Sequence, residues 1–207
     1  MKNYISIILI FTFFWLNAQK TEEKTITNNA IQYITIEGDA FFKIDVKTTT
    51  NKTIKINSRT EGEDALDTII LKEIKNDSLI ISSIYKPLVK NYNDKLSVHK
   101  VTSIELLLEI PENLNLYFKS KIGSAKIYGR YKSLFLELHQ GNANIFNFLG
   151  NAIINTFNGD INLETANATV KAKSKTGSIN YNKITSGKNQ VQINTINGNI
   201  NIYKTKK

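Results

Sequence analysis

The sequence predicts an all-β protein: a parallel β-helix or β-roll solenoid with 18-residue coils, preceded by a hairpin-rich β segment. Two observations carry this prediction. From about residue 114 onward a glycine recurs at intervals of 18, 18, 18 and 21 residues. On both sides of each glycine, apolar residues alternate with polar ones, which is the pattern of half-buried strands. The recurring residues are Gly123, Gly141, Gly159, Gly177 and Gly198.

Each repeat holds two short apolar–polar–apolar runs separated by turns too short for a helical crossover. Such units stack as a parallel β-helix or β-roll. A corner that returns in every coil requires a positive φ or a close backbone approach, and glycine supplies both, so the five glycines are predicted to be structural turns. An antiparallel meander of hairpins also gives evenly spaced short strands. The constant phase of the apolar columns over successive coils favours the solenoid.

The first 18 residues resemble a secretory signal peptide. Lys2 precedes an apolar run from Tyr4 to Leu16, and the small residue Ala18 stands before Gln19. The run is short for a membrane span, so we expect cleavage near Gln19 and export to the periplasm, the cell surface or the medium. We expect no transmembrane segment after cleavage; an uncleaved anchor is the alternative.

Residues 19–110 are predicted to form a hairpin-rich β lead-in that is continuous with the repeats of residues 111–207. Alternating runs flank turn-forming residues at positions 50–52 and 75–77, and each pair of runs is predicted to form a hairpin.

Three further features of the lead-in concern its connections. Glu63 to Ile69 has helical composition and predicts one or two helical turns. The stretch around Pro87 lacks periodicity and predicts a long surface loop. A strand from Ile104 to Ile110 is predicted to end at Pro111, which cannot donate to a ladder.

Cysteine and charge content limit the function classes. The chain has no cysteine, which excludes disulfides, thiolate metal sites and cysteine nucleophiles. The net charge of +9 belongs to the repeats, because from residue 111 onward 13 lysines and arginines stand against 4 acids. A basic surface attracts anionic partners, although lysines also protect β-sheets from edge-to-edge aggregation. We expect no specific nucleic-acid partner.

The segment IPENLNLYFKSKIGSAKIYG is followed by coils of the pattern Gly-x-apolar-x-apolar. Together with the lead-in and the signal peptide, this resembles the adhesin-like β-helix domains of unknown function of exported bacterial proteins, the auto-transporter adhesin head type. The resemblance covers nearly all of the mature chain. It implies a non-enzymatic adhesin-like binding or structural module of the cell envelope and brings no catalytic residues. The alternatives are a small polysaccharide-acting β-helix enzyme and a periplasmic accessory protein that contacts an envelope signalling partner.

The acids of the repeats predict neither catalysis nor metal binding. Glu137, Asp160 and Glu164 fall in different columns, so they form no acid ladder, and calcium repeats require an aspartate in every coil. His139 is interpreted as a surface histidine. We therefore predict no catalytic residue, no metal and no cofactor.

One outward column predicts a candidate binding face. Six residues before their glycines stand Tyr117, Phe135 and Ile153, where alternation calls for polar side chains; Lys171 and Lys173 extend the same face. Either the lead-in or the Pro87 loop covers this patch, or it binds a partner such as an anionic glycan or an envelope protein. The sequence leaves the oligomeric state open.

Two more expectations concern the stacking of the coils. Asparagines recur three residues after the glycines and are predicted to exchange amide hydrogen bonds between coils. The last strand, from Asn199 to Tyr203, is predicted to form the open end of the solenoid, with Lys204 to Lys207 opposing the addition of another coil.

Overall fold

The computed structural model describes residues 19–27, 30–62, 65–85 and 102–205, and the chain is all-β with mostly parallel strand pairing. Its strands are β1 (Gln19–Ile26), β2 (Tyr33–Glu37), β3 (Phe41–Thr49), β4 (Ile54–Glu61), β5 (Thr68–Lys75), β6 (Ser78–Tyr85), β7 (Ser103–Pro111), β8 (Asn115–Ile122), β9 (Ser124–Gln140), β10 (Ala143–Asn158), β11 (Ile161–Thr165), β12 (Ala168–Ser174), β13 (Ile179–Tyr181), β14 (Asn189–Asn197) and β15 (Ile200–Lys204). The predicted signal peptide, the Pro87 loop and the last two lysines lie outside the described residues. Within the described ranges, no helix is long and apolar enough to cross a membrane.

The strands form one curled sheet with two rows. One row runs β1-β4-β7-β3-β9-β10-β11-β15-β13, and the other runs β5-β6-β2-β8-β9-β10-β14-β12. Strands β9 and β10 are 17 and 16 residues long and pair in both rows, so they bend the sheet around a shared interior. The buried apolar side chains of both rows form a single hydrophobic cluster.

The repeats pair in parallel and in phase. Ala143 of β10 lies opposite Ala125 of β9 on one side and opposite Ile161 of β11 on the other, so partners are 18 residues apart. Two residues later, Ile127, Ile145 and Leu163 of the same three strands are completely buried. Alternation along the strands therefore separates an apolar interior from a polar exterior.

The last two repeats are not stacked in sequence order. Ile161 pairs with Ile200, which in turn pairs with Ile179, so the final repeat lies between the third and the fourth. The expectation that the last strand forms the open end is wrong, because β12 and β13 occupy the edges. The fourth repeat has the less apolar interior columns: Ala172 stands where the final repeat has Ile193. The more apolar repeat gains more free energy from an enclosed position.

The lead-in joins the same sheet. Val46 of β3 pairs with Ile127 of β9, and Ile36 of β2 pairs with Phe118 of β8, both in parallel. All four side chains are fully buried, so the core runs without interruption from the lead-in into the repeats.

The turn at residues 75–77 joins β5 and β6 as the predicted antiparallel hairpin, with Asn76 at a φ of 54°. The predicted hairpin at residues 50–52 is wrong, because β7 lies between β3 and β4 and pairs with both. The helical prediction is also wrong over its described part: Ala65 to Asp67 form a turn and β5 begins at Thr68. Local composition does not reveal a strand inserted from a distant part of the chain.

The recurring glycines allow the corners of the stack to pack closely, and the recurring asparagines join neighbouring strands on its outer face. A Cβ atom on Gly159 would overlap the carbonyl oxygen of Gly141 in the neighbouring corner between β9 and β10, so close backbone approach explains the glycine there. On the outer face, Asn162 donates from Nδ2 to Oδ1 of Asn144 and accepts from Asn201, both at 2.9 Å. The predicted asparagine ladder is therefore present, and it ends at Asn180, which donates to Asn201 at 2.8 Å.

Candidate binding face

The binding face is the outward side of β8, β9, β10, β14 and β12. Its first row contains Tyr117, Phe135 and Ile153, which lie side by side in register. The Tyr117 and Phe135 rings are stacked, with centroids 4.9 Å apart and planes 5° from parallel. Gln192 stands between Ile153 and Lys171, because β14 lies between β10 and β12. The predicted apolar patch is therefore assembled, but Lys171 is one strand further from it than sequence order indicates.

The described strands of the lead-in extend this face and do not cover it. Thr35 of β2 pairs with Tyr117, so the lead-in continues the first row sideways. Ile153 remains 44% exposed. Of the two covers that the sequence predicted, the lead-in hairpin is a neighbour in the sheet, and the Pro87 loop falls outside the described residues.

The second row, two residues further along each strand, changes from charged to amide side chains. Lys119 lies between Glu37 and Glu137 and forms an ion pair with Glu137 at 2.7 Å. The hydrogen bond to Glu137 raises the pKa of Lys119. The row continues with Asn155 and Asn194, whose side chains share a 2.9 Å hydrogen bond, and ends at Lys173.

The third row contains a second ring pair. His139 of β9 stacks on Phe157 of β10, with centroids 4.8 Å apart and planes 6° from parallel. Lys121 flanks the row at one end and bonds Asp39 at 2.6 Å. Lys175 lies at the other end. Because the rings stack along the strand-to-strand direction, they present their edges to solvent.

The second and third rows line a groove of about 1200 Å³. It extends from Glu37 of β2 to Lys173 of β12, five strand spacings or ~24 Å. The charges are unequal along it. Near β2 the lysines are neutralised by carboxylates, whereas Lys173 and Lys175 are exposed and have no ion-pair partner among the described residues.

A smaller depression of about 470 Å³ lies beside this groove, and its lining includes Phe135, Ile153 and Lys171. The sequence-predicted residues are thus divided between the two: Tyr117 and Lys173 line the groove, and the other three line the depression.

The arrangement suits the capture of an anionic ligand. Aromatic rings carry partial positive charge at their edges, and these edges point outward. The Asn155–Asn194 hydrogen bond uses one polar atom of each side chain and leaves the Asn155 amide nitrogen and the Asn194 amide oxygen for a ligand. Lys173 supplies an uncompensated positive charge next to them.

Sequence reasoning missed His139 and Phe157 as parts of the face, together with Asn155, Asn194 and Lys175. The signal was present in the columns two and four residues before the glycines. The sequence indicates only that His139 is a surface histidine, and in the structure its ring stacks on that of Phe157.

The described part of the chain contains no group of three metal-ligating side chains close enough to hold an ion. Asp160, the one aspartate in the calcium-like column, instead accepts the backbone N–H of Asn199 at 2.7 Å.

Comparison with solved structures shows that a bacterial protein shares this fold. A candidate cell adhesion protein from Clostridium sporogenes superimposes with a TM-score of 0.64 at 18% identity, covering 90% of this chain and 99% of the other. A candidate adhesin from Bacteroides fragilis has a TM-score of 0.40 at 13% identity and covers 89% of this chain and 97% of its own. No protein-family model and no curated protein matches the chain.

The Clostridium structure shows that this fold spans nearly the whole chain. At 18% identity the likeness concerns the fold alone.

Proposed function

We propose that the protein is an exported, non-enzymatic, adhesin-like binding module of the bacterial cell envelope. Three points support the proposal: the N-terminal segment with signal-peptide character, the fold shared with a candidate cell adhesion protein, and an open groove on the binding face. The module acts in the periplasm, on the cell surface or in the medium.

The repeats are best described as a parallel β-solenoid with an 18-residue coil. The support is the constant 18-residue offset between paired residues of β9, β10 and β11. The offset becomes 39 residues where the final repeat enters the stack. A solenoid presents a long flat face on which equivalent side chains recur every ~4.8 Å, which suits a polymeric ligand.

The ligand that fits this face best is an anionic glycan. The single observation that carries this assignment is the end of the groove at Lys173 and Lys175, where two exposed ammonium groups, which form no ion pair with any described residue, adjoin the amides of Asn155 and Asn194. Acidic sugars combine carboxylates for the lysines with hydroxyls for the amides. The exposed lysines lie where electrostatic attraction raises the association rate.

A polysaccharide-acting enzyme is the second candidate, because Glu37, Asp39 and Glu137 all line the far end of the groove. Hydrolysis of a glycosidic bond requires one carboxyl group that donates a proton. Lys119 holds Glu137 and Lys121 holds Asp39, both at salt-bridge distance. These ion pairs make the acids structural partners of lysines and favour binding over catalysis.

The test is a glycan array with the full chain and the Lys173→Glu/Lys175→Glu variant. We expect the wild-type protein to bind acidic glycans in preference to neutral ones, and the variant to lose at least about tenfold in affinity, since each lost charge contact costs on the order of 1 kcal/mol. Added salt should weaken wild-type binding because the lysines are exposed to solvent.

Lys52→Glu/Lys132→Glu is the matched control, because it makes the same charge change at exposed residues that line neither the groove nor the depression. Equal binding by the groove variant and the control would refute the glycan assignment. Release of new reducing ends from an acidic polysaccharide, abolished by Glu137→Gln, would establish the enzyme instead.

A further inference from the structure

At one end of the strand stack, no described strand covers the outermost strand. β13 pairs in parallel with β15 and with no other described strand. Ile179 and Tyr181 stand in interior columns whose members on β9, β10, β11 and β15 are completely buried, yet they are 43% and 49% exposed. The apolar interior of the repeats therefore ends at an open surface.

The backbone of β13 is also available at this edge. The Ser178 carbonyl accepts the N–H of Ile200, and the Asn182 N–H donates to the Ile202 carbonyl, so these residues of the β13 segment point towards β15. In a parallel strand, successive residues direct their backbone N–H and C=O groups to opposite sides, so alternate residues bond the same neighbouring strand. Ile179 and Tyr181 consequently direct their N–H and C=O groups away from the stack.

β12 forms the corresponding edge in the other row, where β14 is its one described partner. We call the outer edges of β12 and β13 together the open end. It differs from the binding face, which is the outward side of the sheet, because it exposes backbone groups and interior side chains.

The open end is strongly basic. Between residues 165 and 205 the chain has no aspartate or glutamate. Its exposed lysines are Lys171, Lys173, Lys175, Lys183 and Lys188. A second copy of the chain approaching through the same edge would place like charges opposite each other, which is destabilising in a strand pair.

We propose that the open end binds an extended, acidic strand of a partner polypeptide. The partner strand pairs with β13, its apolar side chains cover Ile179 and Tyr181, and its alternate carboxylates lie on the outward side of β13, which Lys175 and Lys183 flank in the sequence. Strand addition of this kind takes affinity from main-chain hydrogen bonds and specificity from alternate side chains. The added strand forms a new layer beyond β13, just as β15 forms the layer on the inner side of β13.

The experiment uses two capped peptides about nine residues long, the length of an ordinary strand, in which valine alternates with glutamate or with lysine. We expect the valine–glutamate peptide to bind the full chain and to slow amide hydrogen exchange at Ile179 and Tyr181 by at least about tenfold at saturation. The valine–lysine peptide should not bind. The Ile179→Ser/Tyr181→Ser variant should bind the acidic peptide at least about tenfold more weakly, because two apolar contacts are lost.

Phe157→Ala in the groove is the control and should leave peptide binding unchanged. Conversely, the Ile179→Ser/Tyr181→Ser variant should keep wild-type glycan binding, so this inference and the proposed glycan site succeed or fail separately. Equal binding of both peptides, or unchanged exchange at Ile179, would overturn the inference. A concentration-dependent dimer in sedimentation that Tyr181→Arg dissociates would also overturn it, since a second copy would then be the occupant.

Discussion

The interchanged order of the last two repeats can be tested by cross-linking, because the chain has no cysteine of its own. In the structure Asn155 lies opposite Asn194, and Lys173 lies one strand beyond. The Cα atoms of Asn155 and Asn194 are thus one strand spacing apart, ~4.8 Å, and those of Asn155 and Lys173 are ~9.6 Å apart. A disulfide requires a Cα separation of about 4.4–6.8 Å. We expect Asn155→Cys/Asn194→Cys to oxidise readily and Asn155→Cys/Lys173→Cys to stay reduced.

The expected stabilisation follows from the loop that is closed. For residues 39 apart in sequence, the loss of entropy in the unfolded chain corresponds to about 4 kcal/mol. The replaced amide hydrogen bond costs about 1 kcal/mol, which leaves a net gain of about 3 kcal/mol. Urea unfolding with and without reductant measures this difference, and free-thiol titration measures the extent of oxidation.

The opposite face supplies an independent pair of variants. Asn162→Cys/Asn201→Cys should form a disulfide, because these residues are neighbours, while Asn162→Cys/Asn180→Cys should not. If the cysteines 18 residues apart oxidised and those 39 residues apart did not, the repeats would be stacked in sequence order and our description of the stack would be refuted.

Three other variants test packing and charge. Gly159→Ala should lower the free energy of unfolding by about 1–3 kcal/mol, since its methyl group would overlap the carbonyl of Gly141 in the neighbouring corner; urea unfolding measures the loss. Tyr131→Phe should cost about 1 kcal/mol in the same assay, because the buried hydroxyl donates to two backbone carbonyls. Hydrogen bonds from Lys20 and Lys72 lower the pKa of Glu22 from its usual 4.5. The stability from these contacts is fully present above that value and is lost as the pH falls through the lowered pKa, so the difference in unfolding free energy between wild type and Glu22→Gln should shrink in acid.

Lys132→Ala is the control for these variants, because an exposed lysine should change stability by no more than about 0.5 kcal/mol. A Gly159→Ala protein as stable as this control would contradict the close backbone approach. A Glu22→Gln difference that stays constant between neutral and acidic pH would contradict the ion-pair explanation.

The sequence predicted those parts of the fold that depend on local alternation. The regular spacing of apolar residues such as Ile127 and Ile145 predicts that they are buried in register. The in-phase parallel repeats, the β5–β6 hairpin and the asparagine ladder could therefore all be predicted. The apolar row of Tyr117 and Phe135 was predicted for the same reason.

The order of strands across the sheet could not be predicted in this way. Whether β7 enters between β3 and β4, or β14 between β10 and β12, depends on which arrangement buries the most apolar surface overall. The burial patterns of the single strands are compatible with both orders. The 18-residue spacing of His139 and Phe157 makes them neighbours in the predicted register, but the groove also requires β14, with Asn194, to lie between β10 and β12.

The position of the final repeat also affects how the chain reaches its native state. Until residues 189–204 are available, the edge of β10 is free and β12 lies close to it in sequence, so pairing at the 18-residue offset competes with the native arrangement. Closing the shorter loop costs less entropy and is faster. Native folding then requires β12 to leave that position so that β14 can enter, which predicts a slow refolding phase that depends on the last strands of the chain.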